Sequence, residues 1–413
     1  MKTVKEAQAA VLAKVHQTGT EIVELRDAFG RIFAGNATSN RNHPPTDISA
    51  MDGYAVRFSD ISGASKDAPA SLKIVDDIRA GKDPECEVAS GEAARIMTGA
   101  PIPIGIDTVV RVEDTDCNDT HVKIFTPSPE GSNIRLKAEN LKIGDTVLNK
   151  GAKLGSAEIG ILAMIKQQVV EVRKKPRVAI LSSGDEIEAL GAPFDPKKIP
   201  DANSYSVMAE LLSIGIEPTL LGVAGDTEGE LKAKLEEGLK YDALIVSGGV
   251  SVGHHDFVRP TLKSLGVEMH FWRVALRPGH PFAFGTTKDT LVFALPGNPV
   301  SSMVCTTLFV VPALRASVGH ENIFRRTVKA KLKGSAKDKK GRMHFMRVKL
   351  SEENDNLIAE LTGSQGSGIL RSMVEADGLI AVPEDLALIE DGQEVTVLLF
   401  DGHGFQKTSG LPE

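Results

Sequence analysis

Asp242-Ala243-Leu244-Ile245-Val246-Ser247-Gly248-Gly249-Val250-Ser251-Val252-Gly253 is an apolar run, rich in β-branched residues, that ends in glycines. That order reads as a buried strand followed by a glycine-rich loop. Loops at the carboxyl ends of strands are where ligands bind in an open α/β sheet. Glycines permit φ > 0 and let backbone N–H groups approach an anion closely. Asp256 follows three residues on. A carboxylate there is poorly placed to hold phosphate unaided, and well placed to hold a cation that bridges to it. The stretch predicts a phosphorylated or oxyanionic ligand with a metal between ligand and acid.

Around it, strand and helix signals alternate. Val178–Leu181, Leu220–Val223, Ala243–Val246 and Leu291–Leu295 read as strands. Ser204–Ser213, Glu230–Leu239 and Ser301–Leu314 read as helices, with Val207, Met208, Leu211 and Leu212 on one side of the first. A βαβ series implies a parallel sheet covered by helices. Lys174-Lys175-Pro176-Arg177 marks its start. Upstream, residues 3–29 carry helix-period apolar positions (Val4, Ala7, Val11, Val15, Ile22, Leu25, Phe29), and 70–150 is strand-like. Downstream, 321–413 returns to strands, with Arg347 on the same face as Met343 and Phe345.

Composition sets bounds. At 413 residues the chain predicts about three domains of roughly 150 residues. A net charge of -7 argues against a general nucleic-acid binder, which would be basic. Cys86, Cys117 and Cys305 form no CxxC pair, so neither a zinc site nor a disulfide framework is supported. A polar start without an apolar segment predicts no signal peptide. No apolar run is expected to reach the ~18 residues of a membrane helix. The expected location is cytoplasmic.

Three acids follow three strands: Glu186, Asp226 and Asp256. Strand ends of a doubly wound sheet share one edge, and a cluster of carboxylates there is costly without a cation. Mg²⁺ with phosphate is the natural partner. Asp226 taken alone is equally explained as a cap for the helix that follows. In the second cluster, Trp272-Arg273-Val274-Ala275-Leu276-Arg277-Pro278-Gly279-His280-Pro281, Arg273, Arg277 and His280 sit in a proline-stiffened loop. Arginine suits bidentate contact with a tetrahedral oxyanion, although a solvated surface loop is the usual fate of such charges. The third, Pro296-Gly297-Asn298-Pro299-Val300-Ser301, opens a helix whose first-turn N–H groups attract anions. Asn298 as N-cap and Pro299 at N1 account for helix initiation there with no ligand. The stretches Ser49–Tyr54 and Arg95–Pro101 read by themselves as structural turns. Dinucleotide, P-loop and zincin motifs do not occur.

Together, Ser49-Ala50-Met51-Asp52-Gly53-Tyr54-Ala55-Val56-Arg57, Ile96-Met97-Thr98-Gly99-Ala100-Pro101, Ser183-Gly184-Asp185-Glu186, Ser247–Gly253 with Asp256, Pro278-Gly279-x-Pro281 and Pro296–Ser301 resemble the molybdopterin molybdenumtransferases, the MoeA and gephyrin E-domain family. The segments appear in family order over nearly the whole chain. The resemblance implies a multidomain α/β plus β fold. Its parts would be an elongated N-terminal region (1–43 and 138–174), an inserted mostly-β domain (44–137), a three-layer α/β molybdopterin-binding domain (175–320) and a C-terminal β-barrel (321–413). It implies a cytoplasmic homodimer with the site between subunits. Its reaction inserts molybdate into adenylylated molybdopterin and releases AMP with Mg²⁺ help.

Carried over residue by residue, the resemblance implies that Asp52 and Thr98 serve the partner subunit's site. Glu186, Asp226 and Asp256 would stand near the pterin phosphate and metal. Ser251 would face the ligand in the loop with Ser247, Gly248 and Gly249. Ser301, Arg347 and Ser367 would stand near molybdate, beside Arg273, Arg277, His280, Pro296, Asn298 and Pro299. Two departures from the family pattern stand out. Arg277 and His280 replace lysines, so oxyanion affinity would depend on pH through His280, and Asn140 replaces an acid. The implied partners are other cofactor-biosynthesis proteins and recipient molybdoenzymes, with no nucleic acid and no membrane. Two other activities fit the same sequence: a non-catalytic molybdopterin carrier or scaffold, and a molybdopterin adenylyltransferase.

Overall fold

The computed structural model describes residues 1–193, 195–225, 227–250, 257–354 and 356–400. The strands of the α/β region are β1 (Val178–Ser183), β2 (Thr219–Ala224), β3 (Ala243–Ser247), β4 (Glu268–Trp272), β5 (Ala283–Thr286) and β6 (Leu291–Leu295). They form one sheet in the order β2-β1-β3-β6-β5-β4. The first four strands are parallel; β5 runs antiparallel to both its neighbours, β6 and β4. β1 and β3 are buried at every position, as expected for strands covered on both faces. Helices α1 (Ala202–Ser213) and α4 (Pro299–Ser317) pack on one face. Helices α2 (Glu228–Gly238) and α3 (Val258–Ser264) pack on the other.

α4 is 19 residues long with a mean hydropathy of 1.4, long and apolar enough to cross a membrane, contrary to the sequence expectation. It is instead 83% buried inside the protein, as the core helix of this layer. Its middle, Thr306–Val310, widens to a π turn. Pro312 lies two residues beyond its end and cannot donate the backbone hydrogen bond that would reach Leu308, which accounts for the local slippage.

The helical pattern expected through residue 29 stops earlier. Val4–Leu12 is a helix, capped by Thr3 in a capping box, and packs its Val4, Ala7 and Val11 into the core shared with α1 and α4. Thr20–Glu24 is a strand paired with Val169–Arg173. Ile22 and Phe29, read as core positions, are exposed. The apolar period came from two elements of different type, which a helical template merged. Leu212 is also exposed, so the buried face of α1 is set by Val207 and Leu211.

Two β regions flank this body. Thr108–Arg111, Gly53–Val56, Glu92–Ile96, Ala70–Ile78, His121–Ile124 and Thr115–Cys117 make a six-stranded sheet with a core on each face. Near the C-terminus, Met343–Glu353, Asn356–Leu361, Thr327–Lys333, Glu394–Leu399 and Gly378–Val382 pair in that order. A further pairing of the last with the first closes a five-stranded barrel. Leu276–Arg277, from the loop after β4, adds to Met343–His344 on the barrel. This pairing positions the site, because it fixes the basic loop against the strand that carries Arg347.

Candidate active site

The carboxyl ends of β1, β3 and β6 meet with very little side chain between them. Gly248 has φ +91°, and a Cβ there would lie 2.3 Å from the Ser183 carbonyl oxygen. Only glycine allows both that backbone conformation and that approach. Gly249 and Val250 continue the loop, and a Cβ on Gly297 would come to 3.7 Å from the Gly248 Cα. Ser247 is buried, and its Oγ accepts a 2.8 Å hydrogen bond from Asn203 Nδ2. The same amide donates to the Gly297 carbonyl at 2.7 Å. Asn203, in the first turn of α1, therefore ties the β3 loop to the β6 loop. Sequence reading missed it, since nothing in its local pattern distinguishes it from an ordinary first-turn residue. Asp201 caps the same helix and takes the Ser182 hydroxyl at 2.8 Å, fixing α1 to β1.

The acids are unevenly described. The Glu186 carboxylate folds back over Gly184, just past β1. Asp226, Asp256 and Ser251 lie outside the described residues. Among the described residues, no group of three His, Cys, Asp or Glu side chains stands ready to hold a metal.

The basic loop is not the solvated loop its charges would suggest. Val274, Ala275, Leu276, Pro278 and Gly279 are buried. Gly279 has φ +117°, and a Cβ there would lie 2.7 Å from Cys305 Sγ, so α4 packs directly on the loop. Burial pushes the Cys305 thiol pKa well up, so it serves as packing and not as a nucleophile. His280 Nδ1 donates to the Val274 carbonyl at 3.0 Å, because a carbonyl can only accept. That bond leaves Nε2 as the free nitrogen. The Arg273 guanidinium lies over the Trp272 ring at 3.9 Å, and Arg259, absent from the sequence reading, lies over it at 3.8 Å. Trp272 Nε1 donates to the Val250 carbonyl, linking this cationic stack to the glycine loop.

Arg277 takes a partner the sequence did not suggest. Its guanidinium is bonded to Asp338, whose side chain is 2% exposed. His344 Nδ1 lies 3.0 Å from the other Asp338 oxygen, without the alignment of a hydrogen bond. Burial holds the His344 pKa below its usual value, against the opposing pull of Asp338. Asp338 thus offsets part of the Arg277 charge.

Arg347 is fully buried and has no carboxylate partner among the described residues. Its Nε donates to Ser372 Oγ at 3.1 Å, and Nη2 donates to the Gly366 and Ser364 carbonyls at 3.1 and 3.3 Å. Its Nη1 has no hydrogen-bond partner. Burial lowers its pKa to about 10, which leaves it charged at neutral pH. The loop that receives it also reaches α4: the Ser367 carbonyl accepts from Val300 N at 3.1 Å. Ser301 is buried one residue on. Asn298 is the N-cap and Pro299 is at N1, as expected, yet the exposed Asn298 side chain makes no capping bond. Pro296 is buried at the end of β6. Arg347, Ser367 and Ser301 are therefore assembled around one loop, although they come from two domains.

Asp52 and Thr98 meet elsewhere. Asp52 Oδ1 accepts from Thr98 N at 2.7 Å and from Thr98 Oγ1 at 2.8 Å, which lowers the Asp52 pKa. Both bonds join two turns of the six-stranded β region, and among the described residues neither group is hydrogen-bonded to the strand ends described above. Asn140 Nδ2 lies 3.7 Å from Met164 Sδ.

The chain matches three family models: the MoeA N-terminal region (domain I and II) over residues 2–165, a probable molybdopterin binding domain over 179–316, and the MoeA C-terminal region (domain IV) over 329–400. It is 37% identical to a molybdopterin molybdenumtransferase of Nostoc sp., covering 92% of this chain and 89% of that one. It is 33% identical to molybdopterin molybdenumtransferase 2 of Mycobacterium tuberculosis, covering 96% and 99%. A solved structure of a molybdopterin biosynthesis MoeA protein from Pyrococcus horikoshii superposes with a TM-score of 0.83 at 30% identity, covering 97% and 100%.

Proposed function

The chain belongs to the MoeA family, whose curated relatives are named molybdopterin molybdenumtransferase, and from that premise we propose that it inserts molybdate into adenylylated molybdopterin with release of AMP. One observation carries the reading furthest in this chain. A buried, charged Arg347 leaves its Nη1 without a hydrogen-bond partner among the described residues, and the loop whose carbonyls hold its Nη2 also meets the first turn of α4, through Ser367. A guanidinium and a helix N-terminus together suit a tetrahedral dianion such as molybdate. Leaving a buried N–H unpaired costs roughly 1–3 kcal/mol, which an oxyanion acceptor would recover.

In this reading the Gly248–Val250 loop receives the phosphorylated end of the pterin nucleotide, with Ser247 and Asn203 holding the loop in place. Arg273 and Arg259, stacked on Trp272, add positive charge next to that loop. Arg277 supports the oxyanion with its charge tempered by Asp338, and His280 offers Nε2. Mg²⁺, held by Glu186 with Asp226 and Asp256, would neutralise charge developing on the phosphoanhydride. Asp52 and Thr98 are self-bonded and distant in fold from these groups, which supports their serving the partner of a cytoplasmic homodimer.

The test is incubation of the protein with adenylylated molybdopterin, molybdate and Mg²⁺. AMP release without ATP consumption is expected, and its absence sinks the reading. Pterin binding without turnover would instead indicate a carrier, and ATP consumption an adenylyltransferase. Full-length relatives named for the transfer reaction disfavour both. The shared site is tested by mixing Asp52→Asn with Arg347→Ala subunits, each inactive alone. A site built across two subunits restores about a quarter of wild-type activity on random reassortment, and one built within a single subunit restores none.

A further inference from the structure

Asp338 is a buried carboxylate shared between two domains. It lies between the short strand Ala336–Lys337 and the barrel strand Met343–Glu353. One of its oxygens holds the Arg277 guanidinium across the domain boundary. The other lies 3.0 Å from His344 Nδ1. His344 is itself buried, and neither of its ring nitrogens has a hydrogen-bond partner among the described residues. A buried imidazole left wholly unpaired is unusual, because the desolvation of its polar atoms goes unrecovered.

A structural explanation covers part of this cluster. Arg277 and Asp338 staple the loop after β4 to the barrel, where Leu276–Arg277 already pairs with Met343–His344. Such a staple accounts for Asp338. It does not account for His344, which adds no hydrogen bond to it.

The charged groups acting on His344 come from three elements. Asp338 belongs to the preceding segment, Arg277 to the loop after β4 and Arg347 to the same strand. Lys339, Lys340 and Arg342, in the segment of Asp338, are exposed. The paired strand Gly378–Val382 carries no titratable side chain. Burial, the largest influence, holds the His344 pKa below its usual value. Asp338 pulls it up, and Arg277 and Arg347 push it further down. His344 therefore senses the same two arginines that the oxyanion would meet.

We propose that Asp338 is a positioning residue for oxyanion capture, shared between Arg277 and His344 and drawn towards His344 when the oxyanion binds. The proposal rests on the molybdate-insertion reading above. A dianion beside Arg347 and Arg277 screens the two positive charges that disfavour a proton on His344. His344 then takes a proton from solvent, and its imidazolium competes with Arg277 for Asp338. Arg277 is half exposed, so its guanidinium has room to turn from Asp338 to the oxyanion. The bound state holds more protons than the free state, so oxyanion affinity rises as pH falls towards the His344 pKa. A plain interdomain staple gives no such slope.

Calorimetric titration of the full chain with sodium molybdate tests the pair, between about pH 6 and about pH 8, in buffers of differing ionisation enthalpy. Wild type is expected to bind more tightly at the lower pH and to take up a fraction of a proton per molybdate. His344→Gln should lose that uptake and bind with a flatter pH slope. Asp338→Asn keeps an acceptor for Arg277 without the charge, so at the upper pH it should bind about fivefold tighter than wild type. If Asp338→Asn folds poorly, His344→Gln decides alone. Absence of molybdate binding, a pH-independent wild-type affinity, proton uptake retained in His344→Gln, or binding by folded Asp338→Asn no tighter than wild type would overturn the proposal. AMP release by the same wild-type preparation is scored separately. Its absence removes the molybdate-insertion reading, while the titration still decides the role of Asp338.

Discussion

At the carboxyl ends of β1, β3 and β6 backbone meets backbone: Gly248 lies against the Ser183 carbonyl, and Asn203 laces two loops together. At the amino ends of the same sheet, cationic side chains surround an open cavity. Both edges are polar, but they are built differently. The carboxyl edge draws on fixed backbone dipoles and on one buried guanidinium held by carbonyls and a hydroxyl. The amino edge draws on several longer side chains, two of them exposed lysines. A site of the first kind concentrates its effect in single atoms, whereas one of the second kind spreads it. Substitutions should therefore be severe at one edge and graded at the other.

Arg347→Ala gives the largest expected effect. Molybdate-dependent AMP release, read as kcat/KM, should fall roughly 10²–10³-fold, the range for loss of one preorganised charge-stabilising donor. Arg347→Lys should recover only part, because an ammonium cannot reproduce the fork that holds Ser372, Ser364 and Gly366. A loss of less than threefold in Arg347→Ala would break the contrast between the edges.

Gly248→Ala comes next. The new Cβ meets backbone at a positive-φ position, so about 3 kcal/mol of stability should be lost in urea unfolding. A loss within 0.5 kcal/mol would mean that the loop is not fixed by this backbone contact.

The smallest effect sharpens the other edge. The His320 pKa is about 4 in the folded chain against the usual 6.5, so the unfolded chain binds more protons between those values. Stability should be fully retained above pH 6.5 and decline towards pH 4, by roughly 1 kcal/mol after solvent screening. Burial is the main cause, followed by the charges of Arg315 and Lys153; Arg31, Arg173 and Lys175 also face the cavity that His320 lines. His320→Gln should flatten this part of the pH–stability curve, and an unchanged slope would place the positive field elsewhere.

Much of the carboxyl edge was legible in the sequence. Ser247-Gly248-Gly249 and Pro296-Gly297-Asn298-Pro299 are contiguous, and their chemistry follows from residues a few positions apart. Asn203 was illegible because its partners, Ser247 and Gly297, are distant in the chain. Arg277 was read as a free cation because Asp338 lies in another domain. One or two short helices were expected over residues 3–29; the first formed, but the second half is a strand, because a helix and a strand shared one apolar period. The long helix was placed correctly, but its 19-residue length was underestimated, since polar Ser and Thr residues interrupt the apolar run and still pack inside.

The sequence by itself determined the order of strands and helices, the glycine loops at strand ends and the family to which they belong. Those properties reside in hydrophobic period, in positive-φ glycines and in short motifs, all of which act between near neighbours. Only the tertiary structure decided which charges are spent on other charges and which remain available. Asp338 pairs with Arg277, carbonyls surround Arg347, and cations from the N-terminal region, the start of β1 and the end of α4 gather at one cavity. The physical reason is that electrostatic environment depends on distance and burial in space, and segments far apart in the chain leave no local pattern of their meeting.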